Sequence, residues 1–180
     1  MGERYLIALG SNRCHGRHGR PEAVLRAAFA ALDRKGLAIE TTSPILATAP
    51  LGPSRRRYAN AAALVRTKLA PDALLDRLKR IERRFGRRRG GRRWAARVLD
   101  LDVVLWSGGG WCSPGLTVPH PAFRSRAFVL RPAAAIAPQW RDPLTGLTLR
   151  HLLARLTRPH PLPIAARRGA LSSVGRATDF

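Results

Sequence analysis

A chain of 180 residues with 45% hydrophobic side chains can bury one sizeable core, so a single domain over residues 1–158 is the economical expectation. The formal net charge of +22 ordinarily points to nucleic acid, because counterion release rewards a dense basic patch. Here, however, the 33 basic residues include three lysines, Lys35, Lys68 and Lys79, and the arginines are spread over nearly every segment. That is a compositional bias more than a groove, and a nucleic-acid-binding module stands as the alternative reading.

No apolar run reaches membrane-spanning length and the start lacks a signal-peptide pattern, which leads to the expectation of a cytoplasmic protein, most simply a monomer. Cys14 and Cys112 are far apart without metal-type spacing, so neither a disulfide nor a zinc site is expected.

Arg4 to Leu9 is a short apolar run that breaks at Gly10-Ser11-Asn12, a strand followed by a turn. Behind a Pro-Glu start, Ala23, Val24, Ala27, Ala28, Ala31 and Leu32 recur at helical spacing and predict a helix over Pro21 to Leu32. Leu37 to Leu46 reads as a strand running into Thr48-Ala49-Pro50-Leu51-Gly52-Pro53, an irregular extended loop. Tyr58 to Val65 reads as a strand pairing back on it, with Tyr58 and Asn60 on one face.

Pro71-Asp72 opens a second helix whose apolar face is Leu74, Leu75, Leu78 and Ile81, with Glu82 beside it. Ser107 to Pro114 reads as loop, Leu116 to Pro121 as a stiff proline-bracketed segment, and Leu147 to Leu156 as a short last helix. Residues 159–180 carry prolines and no periodicity and are expected to form a poorly ordered tail. The order is β-α-β-β-α-β with extra C-terminal elements, which predicts an α+β, ferredoxin-like antiparallel sheet with helices on one face.

The most informative stretch is Val98 to Trp106, apolar and β-branched enough to be a buried strand yet carrying Asp100 and Asp102. Strand side chains alternate faces, so the two carboxylates point the same way with Val98 and Val104, and Leu99, Leu101 and Val103 point the other. Two like charges on a core strand require something positive, either a divalent cation or the arginines upstream. Gly86 to Trp94 holds five arginines and three glycines in nine residues, a mobile set of guanidinium forks suited to polyphosphate. Hard oxygen ligands beside such a loop are equipment for phosphoryl-type transfer.

Two Asp without a histidine cluster suit Mg²⁺ better than zinc. Prolines on both sides fix His120 near Thr117, where an imidazole can meet phosphate. Tyr58, Asn60 and Phe128 offer aromatic faces and an amide edge that together suit a flat heterocycle. Neither a Walker phosphate loop nor a dinucleotide GxGxxG is present.

These residues, in this order, resemble the 6-hydroxymethyl-7,8-dihydropterin pyrophosphokinases of folate synthesis, from about Leu6 to about Pro132. The motifs are Ala8-Leu9-Gly10-Ser11-Asn12, Thr48-x-Pro50-Leu51-Gly52-Pro53, Tyr58-x-Asn60-Ala61, Ile81-Glu82 and Gly86-Arg87-x-Arg89. They continue through Arg93-Trp94-x-x-Arg97-x-Leu99-Asp100-Leu101-Asp102, Leu116 to Pro121, and Arg126-x-Phe128. The resemblance implies transfer of pyrophosphate from ATP to the pterin hydroxymethyl group with release of AMP. It implies two Mg²⁺ ions at Asp100 and Asp102, with Arg87 and Arg97 clamping phosphates.

It also implies an ATP site lined by Glu82, Arg89, Arg93, Trp94, Thr117, His120 and Arg126. The pterin would stack between Tyr58 and Phe128, its edge read by Asn60 and by the backbone of Thr48, Ala49 and Leu51. The chain departs from the family pattern at Ala95-Ala96, where Gly-Pro is frequent, at Gly115, where some members carry Arg, and at Lys79, a common Gln. A third possibility keeps the fold as a pterin or nucleotide binder without turnover.

Overall fold

The structure is a computed structural model that describes residues 2–34, 36–48, 58–87 and 97–159. The expected tail lies outside them except for Pro159. Five strands form the main sheet: β1 (Glu3–Ser11), β2 (Leu37–Thr42), β3 (Leu46–Thr48), β4 (Tyr58–Thr67) and β5 (Asp100–Trp106). Their order is β2-β4-β1-β5, with β3 also against β4, and every pairing is antiparallel.

Alternation along β1 builds two cores at once. Tyr5, Ile7 and Leu9 point to one face, where α1 (Pro21–Leu32) and α2 (Pro71–Arg84) lay down Val24, Leu25, Ala28, Leu32, Leu74, Leu78 and Ile81. Both helices begin with proline at their first position, where the missing N–H has no intrahelical partner to lose. Leu6 points to the opposite face and packs with Ala62, Val104, Leu105, Phe123, Leu130 and Leu149. Full burial of a side chain such as Leu6 or Leu105 contributes about 2 kcal/mol.

That second core corrects the expectation of helices on one face. α3 (Ala127–Ile136) and α4 (Leu149–Thr157) cover the other side of the sheet. α3 was not legible as a helix because Pro132 sits inside it and lacks the N–H for the Phe128 carbonyl. The strand expected at Leu37 to Leu46 is two pieces. Pro44 cannot donate to a ladder, and Ser43 holds the break by accepting the Ala62 N–H on its Oγ at 2.9 Å while its own N–H donates to the Ala62 carbonyl at 2.9 Å.

Within the segment expected to be loop, Trp111–Ser113 (β6) pairs with Leu116–Val118 (β7) around Gly115. Gly115 has φ +88°, a left-handed conformation in which a side chain is strained, which gives a physical reason for glycine at this turn. β5 begins at Asp100, and Val98, just ahead of it, packs against the first core instead of flanking the carboxylates.

Candidate active site

Asp100 and Asp102 share the face of β5 that looks toward α3 and α4, since Leu101 and Val103 lie in the first core and Val104 in the second. Register then fixes what lies beside them. Gly10 of β1 is paired with Asp100 on one side and Asn60 on the other, and Ala8 with Asp102 and Ala62. Two strand spacings place Asn60 and Asp100 about 10 Å apart, with only small side chains between them. The result is a shallow trough floored by Ala8 and Gly10, both partly open to solvent. A Cβ on Gly10 would stand 3.6 Å from Asn60 Oδ1 and 4.0 Å from Asp100 Cβ.

The Asn60 wall is built by β3 and β4. Thr48 is paired with Tyr58, and Asn60 donates from Nδ2 to Thr48 Oγ1 at 2.8 Å. With its Nδ2 so held and its Oδ1 turned toward Gly10, the buried amide presents a fixed acceptor. Tyr58 and Asn60 share this face, as expected, because Ala59 and Ala61 lie in the first core. Phe128 enters over the same face from the first turn of α3, with the Arg126 guanidinium 5.8 Å from its ring.

The opposite wall is charged. Arg97 donates from Nη1 to Asp100 Oδ1 at 2.6 Å and Arg87 from its Nη1 to the same oxygen at 3.2 Å. Arg87 also pairs with Glu82, and Glu82 accepts the Leu101 N–H at 2.9 Å on the free edge of β5. Arg97 is further held by Asn12, whose Oδ1 accepts the Arg97 N–H at 2.7 Å while the Asn12 N–H donates to the Arg97 carbonyl at 3.1 Å. Arg87 and Arg97, which bracket the arginine-glycine segment in sequence, thus meet on one carboxylate.

Asp102 has no hydrogen bond or ion pair among the described residues. Burial raises its carboxyl above the ordinary range and the Asp100 charge adds to this, against the positive charge of His120, Arg126 and Arg97. Of the two positive partners open to this pair, arginines bond Asp100 directly, whereas His120, Arg126 and Arg97 act on Asp102 only through space. Two carboxylates, one of them unpaired, form a hard oxygen donor set that fits Mg²⁺ and leaves remaining positions for water and phosphate. No group of three or more His, Cys, Asp or Glu among the described residues forms a closed metal cage.

Asp102 also lines a cleft of about 310 Å³ together with Leu75, Val103, Gly115, Leu116, Thr117, His120 and Pro121. The His120 N–H donates to the Val104 carbonyl at 3.0 Å, which ties the segment to the edge of β5. The Ala122 N–H donates to His120 Nδ1 at 3.2 Å, leaving Nε2 for a ligand.

Of the residues expected around ATP, Thr117 and His120 line this cleft and Arg126 acts electrostatically on Asp102. Glu82 is 2% exposed, is not among the described residues that line this cleft, and pairs with Arg87. Burial pushes its carboxyl up to about 7, aided by the Asp100 charge and opposed by the Leu101 and Arg87 bonds. Ala49, Leu51, Arg89, Arg93 and Trp94 lie outside the described residues. Sequence reasoning missed Gly10 as floor, Asn12 as the holder of Arg97, and Leu75. The Gly-Ser-Asn motif carried a signal for the first two, but read alone it was a turn.

The chain is similar to a pyrophosphokinase for 2-amino-4-hydroxy-6-hydroxymethyldihydropteridine from Pseudomonas aeruginosa, 40% identical over 156 residues covering 86% of this chain and 92% of that protein. Enzymes of the same name from Haemophilus influenzae and Synechocystis are 41% and 36% identical over 133 and 130 residues. These alignments cover 73% and 72% of this chain and 79% and 66% of theirs. Among solved structures, the HPPK-DHPS protein of Plasmodium falciparum matches with a TM-score of 0.67 at 12% identity, over 86% of this chain and 44% of that one. That likeness concerns the fold, a mixed helix and antiparallel sheet arrangement. The family model described as 7,8-dihydro-6-hydroxymethylpterin-pyrophosphokinase (HPPK) matches residues 6–138, and this chain belongs to that family.

Proposed function

We propose that the chain transfers pyrophosphate from ATP to the hydroxymethyl group of 6-hydroxymethyl-7,8-dihydropterin, giving the pterin diphosphate and AMP, a step of folate synthesis. The observation that carries the reading, in a chain of this family, is the pair of carboxylates on one face of β5, opposite a fixed amide across a trough of small residues. Net charge alone favours a nucleic-acid module, and the family match does not. The pterin lies in the trough with Asn60 and the Thr48, Ala49 and Leu51 stretch reading its edge, stacked between Tyr58 and Phe128. ATP occupies the cleft, with Thr117, His120, Arg126, Arg89, Arg93 and Trp94 around it and Glu82 acting through Arg87.

The pterin hydroxyl oxygen attacks the β-phosphorus as the bond from that phosphorus to the α,β-bridging oxygen breaks, AMP leaves with that oxygen, and the hydroxyl proton is released to solvent. Holding the two reactants in line supplies much of the acceleration, and positive charge on the phosphoryl oxygens supplies the rest. Arg87 and Arg97 exchange Asp100 for phosphate as substrate arrives. Asp100 and Asp102 would hold Mg²⁺, two ions in this reading, which would supply charge neutralisation to the triphosphate.

We read the strand order as ferredoxin-like with C-terminal additions, residues 1–158 as one domain, and the protein as a cytoplasmic monomer. No described helix is long and apolar enough to cross a membrane. The test is incubation of the purified full chain with ATP, Mg²⁺ and the pterin. AMP formed in step with the pterin diphosphate supports the proposal; ADP instead of AMP, or no nucleotide product, overturns it.

A further inference from the structure

The segment between His120 and Arg126 has no regular element longer than the single 3-10 turn Phe123–Ser125, yet it carries two groups that act on Asp102. Its backbone is closed by the Phe123 N–H to the His120 carbonyl at 3.1 Å and the Arg126 N–H to the Phe123 carbonyl at 3.2 Å. Phe123, 1% exposed, anchors one side in the second core. Arg124 anchors the other side against a residue of a different stretch. It donates from Nε to Asp142 Oδ2 at 2.7 Å and from Nη2 to Asp142 Oδ1 at 2.6 Å, and its guanidinium stands 4.6 Å over the Phe123 ring.

Asp142 is fully buried and belongs to a closed loop. Its N–H donates to the Leu147 carbonyl at 2.9 Å, and the Gly146 N–H donates to its carbonyl at 2.8 Å. The Leu144 N–H and the Thr145 hydroxyl both donate to its carboxylate. Burial opposes the charge, but the Arg124, Thr145 and Leu144 bonds outweigh it and hold the carboxyl below its ordinary value. Thr148, just beyond, caps α4 by accepting the His151 N–H. A planar fork on a planar carboxylate fixes angle as well as distance, whereas the net stability of such a desolvated pair over an apolar contact is small.

From this geometry we infer that Asp142 is a positioning residue for the reaction: through Arg124 it sets the turn that aims His120 and Arg126 at the phosphate end of the cleft. The inference rests on the pyrophosphokinase reading. The sequence gives no hint of it, because Arg124 and Asp142 lie 18 positions apart in segments without shared periodicity.

The test compares full-length wild type with Asp142→Asn, Arg124→Lys and Thr145→Val. The measurements are steady-state AMP release and calorimetric binding of a nonhydrolysable ATP analogue with Mg²⁺, well below each variant's melting temperature. Asp142→Asn is expected to raise the ATP KM and the analogue's Kd about tenfold, with kcat lowered and the pterin KM moved less. Arg124→Lys keeps the charge without the fork and falls between. Thr145 is exposed, so Thr145→Val keeps the fold and shifts both constants the same way by a smaller step, even should Asp142→Asn not fold. Variants that melt earlier while ATP KM and analogue Kd stay at wild-type values overturn the inference. Wild type that makes no AMP overturns the parent reading, and this one with it.

Discussion

Replacing Glu82 by Gln tests the electrostatics of the charged wall through stability. Glu82 is 2% exposed, and burial raises its pKa from 4.5 to about 7. At about 1.4 kcal/mol for each tenfold in proton affinity, that rise is worth about 3 kcal/mol. The sign follows from which state binds protons. Below pH 4.5 the carboxyl is neutral in both states and costs nothing. As pH climbs toward 7 the unfolded chain ionises first and wild type loses stability, and above that range the full cost stands.

Gln keeps an oxygen for the Leu101 N–H and never ionises. Urea unfolding of both proteins at several pH values from 4 to 8 should therefore give near-equal stability at the acid end. Glu82→Gln should become the more stable by about 3 kcal/mol at the alkaline end. The refuting result is a difference that stays flat with pH, or one in which wild type gains on the variant as pH rises. Either would mean that the Arg87 pair outweighs burial and that Glu82 is ionised throughout.

Asp102→Asn removes a partly desolvated charge with no described partner, so it should raise the melting temperature while lowering AMP release at least a hundredfold, on the order of the loss for one electrostatic group at a reacting centre; lower stability together with retained turnover would contradict this. Gly10→Val should fill the trough floor, weakening pterin binding about tenfold in a fluorescence titration without unfolding the chain. Gly10→Ala, whose Cβ has ordinary contact distances, should change binding little. Leu78→Ala, in the first core with 0% exposure, should cost about 3 kcal/mol in urea unfolding and leave both KM values unchanged.

The parts of this molecule legible in the sequence are those whose period is unbroken. Pro21 to Leu32 and Pro71 onward declare themselves by proline starts and helical spacing, and the structure gives α1 and α2 at those places. The paired carboxylates were legible too, because alternation from Asp100 to Val103 is strict. What escaped lies where one residue breaks the rule. Pro132 hides α3, Pro44 splits the strand at Leu37 to Leu46, and the β6–β7 hairpin is too short for a period to register. The site was legible as residue types but not as a shape. That Gly10 stands between Asn60 and Asp100 depends on the register of three strands, which no local pattern encodes.

Edge strands expose backbone groups that ordinarily have to be blunted, and β5 shows why this edge can carry charge instead. Leu105 faces Leu6 and Val103 faces Ile7, so Val104 is an extra residue in the ladder. That bulge reverses the parity of the strand. Without it, a strand presenting Asp100 and Asp102 to the second face would turn Leu105 toward the first; with it, Leu105 joins Leu6 in the second core. The bulge also turns the Val104 carbonyl outward, where it accepts the His120 N–H, while Glu82 takes the Leu101 N–H three residues earlier. These two backbone groups on the edge are thereby used to bring charged or titratable side chains alongside the carboxylates. The same bonds that protect the edge from other strands hold His120 beside Asp102 and, through Glu82, Arg87 on Asp100.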